Sequence, residues 1–287
     1  MQYHASAGGD FYLKRLLVAG GDKRALCLAK LLDQSGYTVE TLGLQPDDEL
    51  YVHIRQADVI LLPYPYSIKD GLIPSLNGAK ISPEEIIDKR SPRTVVIAER
   101  GVEEKLTQVF GHLKRYSDAA GFEKRNAELS AEAAVCEAML RCPLALMDSS
   151  VLITGYGLFG RALAIKCKAL GATVWVAARR EEQRRQAETE GMKSVSIVEM
   201  ADILPEMNLV FNTIPARIFA EYHLKQIPEE CWLFELASSP YGFDEKTAKA
   251  AGVSCLTLPG LPARYAPKSA ALALFEAVET LIGEGIE

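Results

Sequence analysis

From Leu16 onward, short apolar or β-branched runs alternate with longer stretches whose apolar residues recur every three to four positions. A parallel strand covered on both faces reads as a short, nearly continuous apolar run, and the amphipathic stretches between such runs read as crossover helices. The first half supplies four such strands, at 16–19, 38–42, 59–62 and 94–98, with helices over 23–34 and 103–110. The second half repeats the alternation, with strands at 151–154, 173–177, 209–211, 232–236 and 254–256 and helices over 158–170 and 182–190. Between the halves Leu129, Ala133, Cys136 and Leu140 stand at i, i+4, i+7 and i+11, which predicts a long joining helix over 123–140. After Pro267, residues 268–282 read as a closing helix expected to pack back on the first domain.

Composition narrows this reading. At about 150 residues per domain, 287 residues give two domains or one large one, and 48% hydrophobic with 24% charged residues is ordinary for a folded globular chain. The net charge of −6 argues against a nucleic-acid surface, which wants clustered excess Lys and Arg. Residues 1–10 lack the charged head and apolar stretch of a signal peptide, and no apolar run is long enough to span a membrane, so a cytoplasmic protein is expected. Six cysteines without a C-x-x-C pair are read as reduced core thiols, and no metal site is expected.

Residues 63–92 hold five of the fourteen prolines together with Gly71 and Gly78. Such a long irregular connection either lines a substrate cleft, through Tyr64, Tyr66, Ser67 and Lys69, or is a surface excursion with one short helix at 83–87.

The strongest chemical signal is Gly155-Tyr156-Gly157-Leu158-Phe159-Gly160. A G-x-G-x-x-G alone is weak, but this one follows an apolar strand, opens a helix and is succeeded by a second β-rich run. The first glycine permits a tight turn, the second lets backbone approach a pyrophosphate, and the third allows close helix–strand packing. The second strand ends in Arg179 and Arg180, where NAD sites usually carry an acid, so NADP is favoured; Glu181 and Glu182 follow at once and leave NAD possible. The fold class is therefore α/β, with two doubly wound parallel sheets. A flavodoxin-like domain (1–125 plus 262–287) accompanies a Rossmann dinucleotide-binding domain (126–261) that includes the joining helix.

Other candidates sit where strands end. Asn212, Thr213, Ile214 and Pro215 follow an apolar strand and are read as orienting the nicotinamide or its ribose, the alternative being an Asx turn. Ser238 and Ser239 end another strand as a polar cleft wall. Arg264 and Lys268 flank the start of the closing helix, where a cation is unfavourable unless an anion is bound nearby, so an anionic substrate is one reading and a proline-stiffened crossover the other. No histidine follows His223, whereas 2-hydroxy-acid dehydrogenases with this domain order carry a catalytic His late in the chain; their Arg is replaced by the Ser238–Ser239 pair.

The set GYGLFGRALAIKCKALGATVWVAARR, FNTIPA, ELASSPYGFD and LPGLPARYAPKSA, with the opening LLVAGGDKRALCLAKLL, resembles the dipicolinate synthase A-subunit family of spore-forming bacteria over nearly the whole chain. It departs from that family at Ser239-Pro240-Tyr241-Gly242, at Ala263 and in the joining helix, where only Asn126 of the usual signature remains. The resemblance implies oxidation of dihydrodipicolinate to pyridine-2,6-dicarboxylate with reduction of NADP+, in the mother-cell cytoplasm. It also implies a partner, a second, flavoprotein-like subunit, and a homo-oligomer is expected. Candidates to hold the dianionic substrate are Arg217, Ser239, Arg264 and Lys268, with Ser238 and Lys268 as candidate catalytic residues. The main alternative is a non-catalytic NAD(P)-binding regulatory or scaffold protein, and a 2-hydroxy-acid dehydrogenase is a further one.

Overall fold

A computed structural model of the chain describes residues 14–48, 54–65, 69–99 and 113–284. Tyr66, Ser67 and the helix expected over 103–110 lie outside the described residues. The chain divides into two compact units, Met1–Phe122 with Pro267–Glu287, and Glu123–Ala266.

The first unit is built on β1 (Arg15–Ala19), β2 (Thr38–Leu42), β3 (Val59–Leu61), β4 (Val95–Ala98) and β5 (Leu113–Arg115), with α1 (Lys23–Gln34) and α2 (Pro83–Lys89). All neighbouring strands are parallel, in the order β2-β1-β3-β4-β5. This is the flavodoxin-type order, whose direction reverses between β1 and β3. Strand β5 carries Lys114 and Arg115 and is half-buried at the sheet's edge, so no apolar run announces it. The closing helix, Pro267–Gly283, packs on α1 and buries Ala270, Leu274, Ala277 and Leu281 among others. Tyr37 Oη donates to Glu279 Oε1 (2.6 Å) and Lys114 Nζ to the Leu281 carbonyl (2.7 Å). The proline-rich connection is no mere surface excursion, because Ile73 and Ile81 bridge each other antiparallel and are fully buried in the core of the unit.

The second unit opens with α3 (Phe122–Met139) and continues through β6 (Ser150–Thr154), α4 (Leu158–Ala169), β7 (Thr173–Ala177), α5 (Glu181–Thr189) and β8 (Lys193–Val195). It is completed by β9 (Leu209–Asn212), α6 (Glu221–Leu224), β10 (Trp232–Glu235), α7 (Glu245–Ala250), β11 (Ser254–Thr257) and α8 (Leu261–Tyr265). The sheet order β11-β10-β9-β6-β7-β8, all parallel, is the Rossmann arrangement. Two expectations need correcting. The buried face of α3 is Ala127, Ala131, Ala134 and Ala138, joined by Ala133 and Val135; of the expected stripe Ala133 is buried and Leu129 half-buried, while Cys136 and Leu140 face solvent. The alanines of this face join the buried core of the unit, so the inward face is set by small side chains and not by Leu140. The cysteines are all free, but only Cys167 and Cys231 are buried, where desolvation pushes both thiols up to about 12.

Three buried polar residues meet at one level across the central strands. Thr154, Asn212 and Glu235 are in register at the carboxyl ends of β6, β9 and β10. Each is at most 1% exposed, so each must find its partners inside the protein. Thr154 Oγ1 donates to Asn212 Oδ1 (2.6 Å), and Asn212 Nδ2 donates to both Glu235 oxygens (2.8 and 3.0 Å). Glu235 also accepts from the backbone N–H groups of Ala237 (2.9 Å) and Gly242 (2.7 Å). Burial holds the Glu235 carboxyl above the usual carboxylate range, opposed by these donated bonds and by the charge of Arg217.

Every group facing Glu235 in this set is a donor, so Glu235→Gln, though nearly isosteric, turns a donor toward donors. The substitution is expected to destabilise this unit by about 1–3 kcal/mol. Both tryptophans, Trp175 and Trp232, lie in the unit, so the urea midpoint read by their fluorescence measures the loss.

Candidate functional site

The carboxyl edge of the Rossmann sheet is shaped by its glycines. Gly155 has φ +88°, and a side chain there would run into Thr213 Oγ1 (2.7 Å) and Ile214 Cγ1 (3.0 Å). A Cβ on Gly160 would overlap the Gly155 carbonyl, so α4 lies against the end of β6 as closely as backbone allows. At Gly157 nothing lies within 4 Å of where a Cβ would be. That open space is in front of the first turn of a twelve-residue helix whose N-cap, Gly157 itself, supplies no side-chain cap and whose first turn holds no acid. Unsatisfied N–H groups and the positive end of the helix dipole therefore face it, as an anion such as pyrophosphate requires. These residues fit a nicotinamide dinucleotide.

Within the loop the side chains have separate roles. Tyr156 is buried and turned away from the cradle; its hydroxyl donates to Glu190 Oε2 (2.8 Å) and lies 3.4 Å from the Met192 sulfur. Burial and the Glu190 bond raise its pKa. Arg161 Nε completes the clamp on Glu190 (2.8 and 3.1 Å), which ties the loop to the end of α5. So only the Tyr156 backbone belongs to the ligand side. Phe159 packs against the core and Leu158 is exposed.

At the end of β7, Arg179 and Arg180 are exposed, and among the described residues neither side chain has a hydrogen-bond or ion-pair partner. Arg184 Nη1 donates to the carbonyls of Ala178 (2.8 Å) and Arg179 (3.0 Å) and fixes the turn that presents them. Glu181, the acid that follows, is engaged by Arg185 at 2.6 Å.

Asn212 is not a nicotinamide contact. Its amide is saturated by Thr154, Glu235 and the backbone of Ile214, donating to Ile214 O (3.0 Å) and accepting from Ile214 N (3.2 Å). The Asx turn and the interstrand relay use every one of its groups. Thr213 Oγ1 donates to the Thr154 carbonyl (2.7 Å) beside Gly155, so it too braces the edge, while Pro215 and Arg217 are exposed. Ser238 and Ser239 are on the turn after β10, and both are exposed. That turn is pinned at both ends by Glu235 and closed at Gly242, whose backbone lies directly against the Asn212 amide.

Arg264 and Lys268 belong to different units. Lys268 is exposed at the start of the closing helix in the first, whereas Arg264 is in the second. There it lies 3.6 Å from Glu137, a carboxylate 1% exposed that Arg141 and the Tyr265 hydroxyl also contact. Arg264 thus already has an internal counter-ion, for which no pattern in the sequence provides a sign. His223 is buried; its Nδ1 accepts from the Ala220 N–H (3.1 Å), and burial lowers its pKa.

Comparison with known proteins follows this division. Residues 15–114 match the N-terminal domain family of the dipicolinate synthase A-subunit. Residues 119–238 match the D-isomer specific 2-hydroxyacid dehydrogenase, NAD binding domain. The chain is 24% identical over 285 residues to the dipicolinate synthase A-subunit of Bacillus subtilis (strain 168), covering 94% of this chain and 96% of that one. The crystal structure of the dipicolinate synthase A-subunit from Bacillus halodurans is similar with a TM-score of 0.86 and 26% identity, over 95% of this chain and 98% of that one. A transhydrogenase from Sinorhizobium meliloti shares the fold at a TM-score of 0.68 and 15% identity, over 94% and 93% of the two chains. In its first unit and in its end-to-end alignment, the chain is similar to the dipicolinate synthase A-subunits.

Proposed function

We propose that this chain is the NADP-dependent oxidoreductase component of a dipicolinate synthase, oxidising dihydrodipicolinate to pyridine-2,6-dicarboxylate in the cytoplasm. The observation that carries the reading is the open anion cradle at Gly157 in a chain aligned throughout with a dipicolinate synthase. A nicotinamide dinucleotide, when bound, would supply the acceptor for the hydride that leaves a ring carbon of the substrate as the adjacent ring proton is lost. Aromatisation of the product supplies driving force, so the chain's residues have mainly to bind and orient. The glycine loop holds the pyrophosphate on backbone N–H groups, and Arg179 and Arg180 clasp the 2′-phosphate with forked bonds. Lys268 of the first unit and Arg217 of the second, both exposed, are separate candidate cations for the dicarboxylate, and the Ser238 hydroxyl passes the released proton to solvent water. The reading includes a homo-oligomeric state and a second, flavoprotein-like subunit.

A non-catalytic dinucleotide-binding protein is the competing reading. It is favoured by one observation, that the only described histidine, His223, is buried beneath the edge rather than exposed on it. Absorbance at the reduced nicotinamide band, followed with NADP+ and freshly made dihydrodipicolinate, separates the two. Reduction accompanied by dipicolinate is expected; its absence both with and without the second subunit rejects the catalytic reading.

Three sets of substitutions test the parts. Gly157→Ala is expected to leave the thermal midpoint unchanged and weaken NADPH binding about tenfold or more, because its methyl group enters only the cradle, in the way of the charge-assisted bonds made there. Gly160→Ala should lower the midpoint as well, because its methyl group meets the Gly155 carbonyl. Replacing Arg179 and Arg180 by Ala should cost NADPH affinity about tenfold or more while NADH affinity holds, the scale of charge-assisted bonds; equal losses for both would dismiss phosphate recognition. Lys268→Ala should raise the KM for dihydrodipicolinate about tenfold with NADPH affinity unchanged, as steady-state kinetics and calorimetry would report.

A further inference from the structure

The first unit has a crevice of its own at the point where its strand order reverses, between the carboxyl ends of β1 and β3. Ligands of open α/β sheets bind at such a point. One wall is the turn Gly20-Gly21-Asp22, the other Leu62-Pro63-Tyr64. The turn can be made only of glycines. Gly20 and Gly21 have φ +69° and +114°, and side chains there would meet the Pro74 carbonyl at 2.7 Å and Ala25 Cβ at 2.9 Å.

Arg24 lines this crevice with its side chain 7% exposed, in the first turn of α1. A guanidinium has two edges that can each dock a carboxylate, one formed by Nε with one terminal nitrogen and one formed by the two terminal nitrogens. Asp22 occupies the first: Nε donates to both its oxygens (3.0 and 3.1 Å) and Nη2 to Oδ2 (2.6 Å). Asp22 is in turn fixed as the N-cap of α1, accepting from the Arg24 N–H at 2.9 Å. The end edge is unused, and Nη1 has no hydrogen-bond partner among the described residues. Asp22 leaves these donors free, and Nη1 keeps some access to solvent, so they are open to a ligand that enters the crevice.

The crevice also limits what can enter. Its free volume of about 10 Å³ is on the scale of one water, so an oxygen atom fits and a ring does not. Tyr64 stands at the mouth, edge-on to Phe122 (ring centroids 4.8 Å apart, 87°) and to Tyr116 (5.9 Å, 80°). Tyr116 is itself anchored by donating to the Leu62 carbonyl (3.0 Å). A flat acid can therefore insert one carboxylate oxygen while its ring stays outside beside a fixed aromatic wall.

We propose that Arg24, oriented by Asp22, is a substrate-carboxylate recognition residue: its donors left free by Asp22 receive one carboxylate oxygen of a small planar dicarboxylic acid. This rests on the dicarboxylate reading above and deepens it by naming a residue outside the Rossmann unit. Asp22 is a positioning residue, which occupies Nε and Nη2 and leaves Nη1 free.

The test is read first on the unsubstituted full-length protein, so that it does not depend on a variant's folding. The Arg24 side-chain N–H signals are followed by nitrogen-15 NMR, assigned by their loss in Arg24→Lys, during titration with dipicolinate and a panel of other small mono- and dicarboxylates. Dihydrodipicolinate turnover is assayed in parallel. A saturable shift with dipicolinate is expected, with the dissociation constant rising about tenfold to a hundredfold in Arg24→Gln, the scale for a bond to a charged group. Turnover and dipicolinate binding without any Arg24 shift would overturn the assignment of Arg24 and leave the reaction standing. A shift with other carboxylates but no dihydrodipicolinate turnover would overturn the reaction and keep the carboxylate site. No shift with any acid overturns the site outright.

Discussion

The buried relay Thr154–Asn212–Glu235 is the constraint on which the dinucleotide edge depends. Three polar side chains at the same level of three adjacent strands can be satisfied only by one another and by the turns that follow them. Each strand's exit is therefore set by its neighbour's hydrogen bonds: Asn212 holds the 213–215 turn, and Glu235 holds the turn that ends at Gly242. In the low dielectric of the sheet an unmade bond is expensive, so the relay admits one arrangement. The glycine loop then meets a wall, Thr213 and Ile214, that is already in place.

Much of the fold was legible because its determinants are local. The glycines could be read directly, since each meets a steric or conformational need that spacing reveals, and the apolar strands of both sheets fell where short runs put them. What was missed depended on neighbours far away in sequence. Asn212 looked like a ligand contact because a polar residue after an apolar strand usually faces outward; only the register of β9 against β6 and β10 shows that it faces inward. Edge strands β5 and β8 carry Lys and Ser because they are only half-buried, so they lack the apolar signature. The α3 face differs in part from the expected stripe because it is built mainly of alanine, which counting large apolar residues overlooks.

The two candidate cations nearest the closing helix show the same limit. Arg264 and Lys268 are four residues apart and looked like one anion site, yet they belong to different units, and Arg264 has Glu137 beside it. Arg24 was passed over, although a signal existed. It sits four residues before Leu28 on the face of α1 that also buries Ala25, Ala29 and Leu32, a place where a charge has no business unless it is held.

The first unit is assembled from two stretches separated by the whole of the second. Its α1 is covered by the closing helix, and Tyr37 and Lys114 take partners from the same segment. On the ribosome, where domains generally fold as they emerge, the unit that starts first must finish last. Until residues 267–283 are made, α1 exposes the apolar face that helix will bury, while the Rossmann unit, continuous in sequence, already has all of its strands. The order of synthesis and the order of folding are thus reversed, and the interval between them is when this chain is open to chaperones and to misassociation.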